Sequence, residues 1–142
     1  MSGPHQRRAR MRALAVAAAV PLILATGFGA LFWAKAVRTV ASFDSPAGVW
    51  KATVRVINPG GSSGYSTHVL VAHRHSWLPS RQAKVFVADD GSGAVALGKS
   101  GELPLTLRWE GNQRLWICYP ARARVYRQIT ELGPLQIAYE TK

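Results

Sequence analysis

The sequence predicts a mainly β protein, with one N-terminal transmembrane helix followed by a small antiparallel β-sandwich or partial barrel of about six to seven strands. Two observations lead to this prediction. Residues 13–34 form one long apolar stretch without a charged residue. Residues 50–139 repeat short runs of alternating apolar and polar residues, separated by turns rich in Gly, Pro and Asp. No helical period follows residue 38, which favours strands throughout the C-terminal part.

The apolar stretch is long enough to cross a membrane as an α-helix. Its 22 residues span roughly 33 Å at about 1.5 Å per residue, compared with a hydrocarbon core about 30 Å thick. Four arginines and no acidic residue precede the stretch, and two basic residues follow it closely. This excess predicts a cytoplasmic N-terminus and an exported C-terminal part. The residues that define this topology are Arg7, Arg8, Arg10, Arg12, Lys35 and the interfacial anchor Trp33.

A cleaved signal peptide is the alternative interpretation of the same segment. The basic start, the apolar middle and the A-x-A form of residues 34–36 all fit it. The apolar part of a signal peptide, however, runs to about 7–15 residues, and this one is longer, which favours an uncleaved signal anchor. The predicted segments are a basic cytoplasmic tail at 1–12, a transmembrane helix at 13–34, a tether at 35–46 and an extracytoplasmic β domain at 47–142.

The positive charge is divided between these segments. Residues 1–38 hold six basic and no acidic groups, and residues 39–142 hold twelve basic and seven acidic groups. More than half of the net charge of +11 therefore belongs to the topology signal. The remainder fits a solvated surface or an approach to anionic lipid. We expect no nucleic-acid partner, because the topology signal explains more than half of the charge and the predicted extracytoplasmic compartment argues against one.

Seven strands are predicted from the alternation. Residues 50–57 place Trp50, Ala52, Val54 and Val56 on one face, and residues 103–110 place Leu and Trp side chains inward in the same way. The run 83–88 is apolar on both faces, so we expect it to lie centrally. The pattern does not determine which strands pair. The predicted strands are 50–57, 67–73, 83–88, 103–110, 114–119, 123–130 and 135–139.

Histidine and aspartate side chains provide the only metal-ligand candidates in the sequence, and we expect no cofactor. His73 and His75 are two residues apart and point the same way in an extended chain. Imidazole and carboxylate groups are zinc ligands. An exposed polar loop is the alternative, in which the aspartates accept hydrogen bonds from the turn backbone. The metal candidates are His68, His73, His75, Asp89 and Asp90. No catalytic set converges in the sequence, so we expect a protein that is not an enzyme.

A second group of residues suits contact with a partner. Trp77 lies in a loop, where it can contact a partner or dip into lipid. Arg122, Arg124 and Tyr126 share one face of a predicted strand, which is either a polar outer face or a partner-binding face. The expected partners are the lipid bilayer and another membrane or envelope protein.

Four phrases spread over the predicted β domain resemble an uncharacterised family of small bacterial proteins with an N-terminal signal or anchor and one β domain. They are S-P-A-G-V-W at 45–50, G-Y-S-T at 64–67, V-F-V-A-D-D at 85–90 and A-R-V-Y-R at 123–127. Family members more often have Asp where this chain has Ala47. The resemblance implies domain limits and an exported or membrane-anchored location, and it implies no activity.

Together these observations predict a single-pass protein of the inner (cell) membrane whose C-terminal domain is periplasmic or extracellular. Its expected role is that of a non-enzymatic interaction or accessory module of an envelope complex. The alternative is an exported metal- or ligand-binding domain, enzymatic or not, that uses His68, His73 and His75.

Overall fold

Short alternating stretches form nine β-strands in the part of the chain that the computed structural model describes, residues 36–60, 64–74 and 81–142. The strands are β1 (Val37–Asp44), β2 (Trp50–Ile57), β3 (Ser66–His73), β4 (Ala83–Asp89), β5 (Thr106–Glu110), β6 (Arg114–Tyr119), β7 (Arg124–Gln128), β8 (Glu131–Leu132) and β9 (Leu135–Thr141). Among these residues no helix has the length and apolar character to span a membrane. The predicted transmembrane helix and its topology residues lie outside the described residues.

The strands form two sheets. One has five strands in the order β1-β2-β3-β4-β7, and the other has four in the order β5-β6-β9-β8. Every pair in the five-stranded sheet is antiparallel, whereas β6 and β9 are parallel. The prediction of a purely antiparallel fold is therefore wrong for this pair. After β6 the chain crosses to the other sheet to form β7 and then returns, and such a crossover allows β9 to run in the same direction as β6.

The two sheets share one hydrophobic core, as in a β-sandwich. The inward face predicted for β2 is confirmed, since Ala52, Val54 and Val56 are at most 4% exposed. The inward residues of β3 and β4 meet Leu115 and Ile137 of the four-stranded sheet in the same cluster. The central position predicted for residues 83–88 is also confirmed, because β4 lies between β3 and β7.

One extra residue in β4 explains why this strand is apolar at consecutive positions. Val69 lies opposite Phe86, and Leu70 lies opposite Lys84, so Val85 has no partner in the ladder. Such a β-bulge turns two neighbouring side chains towards one face. Val85 and Phe86 are accordingly both fully buried.

The segment predicted as a tether is instead mostly the edge strand β1. Residues 37–44 pair with β2 along its length, and Val40 and Ala41 pack against the core. The compact unit therefore begins at Ala36 and not at residue 47. The alternation is weak in this segment because the register shifts between Thr39 and Ala41, and an edge strand needs few apolar side chains.

Candidate functional site

The candidate site lies on the outer face, which we define as the face of the five-stranded sheet opposite the core. Residues directly opposite each other in antiparallel strands share a face. Ser66 of β3 therefore lies in one row with Asp89 of β4 and Arg124 of β7. A cavity of about 640 Å³ opens over this row. We refer to it as the outer-face pocket, and its principal lining residues are Tyr65, Ser66, Val87, Asp89, Arg124 and Tyr126.

Arg124 and Asp89 form an ion pair at the centre of the pocket. Nη2 of Arg124 lies 2.6 Å from Oδ2 of Asp89, and its Nε lies 3.2 Å from both carboxylate oxygens. The hydroxyl of Tyr126 also donates to Oδ2, and the backbone N–H of Gly91 donates to Oδ1 at 2.9 Å. The hydrogen bond from Arg124 is the main reason that the pKa of Asp89 falls to about 2. Asp89 is therefore an ionised positioning group.

A second bulge brings the side chains of β7 to this face. Ala88 lies opposite Val125 and Val87 lies opposite Arg127, so Tyr126 is the extra residue. The bulge places Tyr126 and Arg127 on the outer face together with Arg124. The guanidinium of Arg124 lies 5.4 Å from the centre of the Tyr126 ring, within the range of a cation–π contact. Tyr126 nevertheless stays 59% exposed.

Two of the three residues predicted to share a face of this strand thus meet at the pocket. Arg124 and Tyr126 line it. Arg122 precedes β7, is exposed, and is not among the lining residues. Trp77, the other residue assigned to partner contact, lies outside the described residues.

A serine–histidine pair lies at the edge of the pocket, with Ser66 in its lining and His68 beside it. Oγ of Ser66 is 3.1 Å from Nε2 of His68. Burial is the main reason that the pKa of His68 is lowered to about 4, and the positive charge of Lys84 adds to the effect. His68 is therefore neutral at neutral pH. The carboxylate of Asp89 is directed to Arg124, Tyr126 and Gly91, so it does not complete a triad with this pair.

The structure separates His73 from the other metal-ligand candidates that it describes. His68 lies on the outer face, whereas His73 lies at the opposite end of β3, beside the Trp50 ring with centroids 5.3 Å apart. Within the described ranges no group of three or more His, Cys, Asp and Glu side chains is close enough to hold a metal ion. His75 lies outside these ranges. The turn alternative is confirmed for both aspartates, because Asp89 and Asp90 accept backbone N–H groups of Gly91 and Gly93.

Sequence reasoning missed the β3 side of the pocket. Tyr65 is 40% exposed, and its ring occupies the space beside Gly101. A Cβ atom at Gly101 would lie 2.6 Å from this ring, so a side chain at that position would displace Tyr65. The only local signal was an aromatic residue in a Gly- and Ser-rich loop next to a strand. The contact itself joins residues 36 positions apart and has no local pattern.

Comparison of the chain with models of protein families, with curated proteins and with solved structures gave no match. The resemblance to a bacterial family therefore stays a prediction. The outer-face pocket is the structural feature from which a function can be inferred.

Proposed function

We propose that this protein is a single-pass inner-membrane protein that displays its β domain outside the cytoplasm as a non-enzymatic interaction module of an envelope complex. The apolar residues 13–34, and the arginines before them, support the anchor and its orientation. The β domain carries the outer-face pocket as its contact site. The partner is another membrane or envelope protein.

The observation that carries this proposal is the pair of exposed tyrosines around a fixed arginine. Tyr65 and Tyr126 are 40% and 59% exposed, and both line the pocket with Arg124. Tyrosine and arginine are enriched in protein interfaces and dominate their binding energy. The bond from Arg124 to Asp89 holds the guanidinium in place. Less conformational entropy is then lost when a partner binds.

The polar groups at the pocket favour binding over catalysis. The Asp89 carboxylate accepts hydrogen bonds from Arg124, Tyr126 and Gly91, so it is poorly suited to act as a base. The Ser66 hydroxyl has a neutral histidine beside it. A nucleophilic serine also needs a group that orients the histidine. All seven Asp and Glu side chains of the chain belong to the described residues. Among these residues, His68 is hydrogen-bonded to Ser66 and to no carboxylate.

In-cell photocrosslinking tests the contact site. A benzophenone amino acid replaces Tyr65 or Tyr126 in the full chain, and a matched control replaces Thr106, which is exposed on the other sheet. We expect discrete crosslinked products from positions 65 and 126, and none from position 106. The Arg124→Ala variant should reduce these products several-fold, because Arg124 lies at the centre of the contact. Crosslinks of equal yield from all three positions, or from none, would contradict the proposal.

A reporter fusion tests the anchor. A reporter that is active only outside the cytoplasm is joined through a flexible linker to Lys142, and the size of the untagged chain is compared with 15.4 kDa. We expect an active reporter and a full-length product that stays in the membrane fraction. A product shortened by about 36 residues and released from the membrane would identify a cleaved signal peptide instead.

A further inference from the structure

Three cations lie next to the outer-face pocket on the same face of the sheet. Arg55 of β2, His68 of β3, Val87 of β4 and Arg127 of β7 form one row of directly opposed residues. Neighbouring strands are about 4.8 Å apart, so Arg55 and Arg127 are separated by roughly 14 Å. Lys84 lies opposite Leu70, two residues along β3 from His68, and therefore shares the face. We refer to Arg55, Lys84 and Arg127 as the basic triangle.

None of these cations has a carboxylate partner. All seven acidic residues of the chain lie in the described ranges. Among the described residues, their ion pairs within 4 Å are Asp89 with Arg124 and Glu110 with Arg114. His68, at the middle of the row, is neutral at neutral pH. The centre of the outer face is therefore positive. In the adjoining pocket the charges of Arg124 and Asp89 cancel, and Asp90 adds one negative charge to the lining.

The other sheet presents a balanced surface. On its outward face, Glu110 lies opposite Arg114, and Glu140 lies opposite Cys118 in the parallel pair. Arg108 stacks on the Trp116 ring, with its guanidinium 5.6 Å from the ring centre. An acidic partner would meet carboxylates on that sheet and would meet only cations at the basic triangle.

We infer that the segment which binds the outer-face pocket is an extended, acidic segment of the partner protein, whose carboxylates contact the basic triangle. This inference rests on the proposed function, and it adds the chemistry of the partner. In an extended chain, side chains on the same side recur every 6.8 Å or so. Carboxylates at positions i and i+4 would then span roughly 14 Å, the separation of Arg55 and Arg127. The side chain at position i+2 then lies over the middle of the row, between His68 and Val87.

The test uses the full chain in nanodiscs of uncharged phosphatidylcholine. The probe is a fluorescein-labelled peptide that alternates Glu and Tyr, and its counterpart alternates Lys and Tyr. Binding is followed by fluorescence anisotropy at low salt and at about 0.5 M NaCl, where the Debye length falls to a few ångströms. The variant Lys84→Glu/Arg127→Glu reverses the charge of two of the three cations of the basic triangle. The matched control Arg108→Glu/Lys142→Glu has the same change in net charge on two exposed residues, one in the other sheet and one directly after β9.

We expect the Glu peptide to bind more tightly than the Lys peptide, and salt to weaken its binding. The variant K84E/R127E should weaken binding at least tenfold, or about 1.4 kcal/mol, whereas R108E/K142E should change it less than threefold. Equal binding of the two peptides, or equal loss in the two variants, would overturn the inference. Nanodiscs with anionic phosphatidylglycerol that suppress peptide binding completely would identify lipid headgroups as the occupant and would also overturn it.

The photocrosslinks separate the two levels of the proposal. Crosslinks at Tyr126 that persist unchanged in K84E/R127E cells leave the proposed function intact and overturn the acidic partner. Absence of crosslinks when the benzophenone amino acid is the only change in the chain would overturn the proposed function itself. Crosslinks that K84E/R127E removes and R108E/K142E retains support both.

Discussion

At the scale of single residues, Tyr139 connects the two sheets through its hydroxyl group. The single O–H proton of this β9 residue is shared between the backbone carbonyls of Val85 at 2.9 Å and Ile129 at 2.8 Å, and its oxygen accepts the Ile129 N–H at 3.2 Å. Burial is the main reason that the pKa of Tyr139 is raised to about 12. The hydroxyl therefore keeps its proton, and the donor role, over the physiological range.

Replacing Tyr139 with phenylalanine tests this connection. The ring stays and can still stack on Phe86, but the hydrogen bonds to Val85 and Ile129 are lost. We expect the free energy of unfolding to fall by about 1–2 kcal/mol, measured by urea denaturation. Tyr119→Phe is the control, because its hydroxyl accepts one exposed bond from Gln128. It should cost no more than about 0.5 kcal/mol, and an equal loss in both variants would contradict the prediction.

Thr67 joins β3 to the chain segment before β5 in a similar way. It is 1% exposed, and its Oγ1 accepts the backbone N–H of Leu103 at 2.9 Å. Thr67→Val has nearly the same shape but leaves that N–H buried and unpaired. We expect it to lower the free energy of unfolding by about 1–3 kcal/mol in urea denaturation. The control Thr106→Val, at an exposed position, should change the free energy of unfolding little. If Thr67→Val leaves the free energy of unfolding unchanged, the Leu103 N–H has found another acceptor and the prediction is wrong.

At the scale of elements, β1 covers the edge of β2 and contributes to the core. A chain of residues 36–142 keeps this strand, whereas a chain of residues 47–142 loses it. The shorter chain would expose the edge of β2 and the core that Val40 and Ala41 cover. We expect it to unfold at a clearly lower urea concentration, or not to fold, as followed by circular dichroism. In the chain of residues 36–142, Val40→Asp should also lower the urea concentration at the midpoint of unfolding. If both chains and the Val40→Asp variant have the same midpoint, residues 36–46 are a tether and the prediction is wrong.

At the scale of the whole molecule, two lowered pKa values predict how stability depends on pH. The pKa of His68 is lowered from 6.5 in the unfolded chain to about 4 in the folded protein. Between these two pH values the unfolded chain therefore binds more protons than the folded protein. The free energy of unfolding should therefore fall as the pH decreases from about 6.5 to about 4, by up to about 3 kcal/mol. The lowered pKa of Asp89 adds a second loss as the pH falls from 3.8 to about 2.

Urea denaturation across this pH range checks the prediction. His68→Gln should remove the loss between pH 6.5 and 4, because glutamine does not titrate. His73→Gln, at the exposed end of β3, should keep it. If the free energy of unfolding of the native protein does not change between pH 6.5 and 4, or if H68Q shows the same change, the assignment to His68 is contradicted. Loss below pH 4 should persist in H68Q and diminish in Asp89→Asn.

Local chemistry made much of the fold predictable from the sequence. The bounds predicted for β2 and β6, 50–57 and 114–119, agree with the structure. Alternation with a period of two is a local property, and it identifies both a strand and its buried face. The strand β1 was missed because a bulge interrupts its alternation, and β8 was missed because two residues carry no period.

The sequence by itself determined the strands with strong alternation, their inward faces and the turn around Asp89 and Asp90. It also indicated that Arg124 and Tyr126 share a face. Only the tertiary structure decided that β7 pairs with β4 and that β9 runs parallel to β6. The physical reason is that strands pair through backbone hydrogen bonds, which every sequence offers in the same form. The pocket and the basic triangle depend on that pairing, because it brings residues of four strands onto one face.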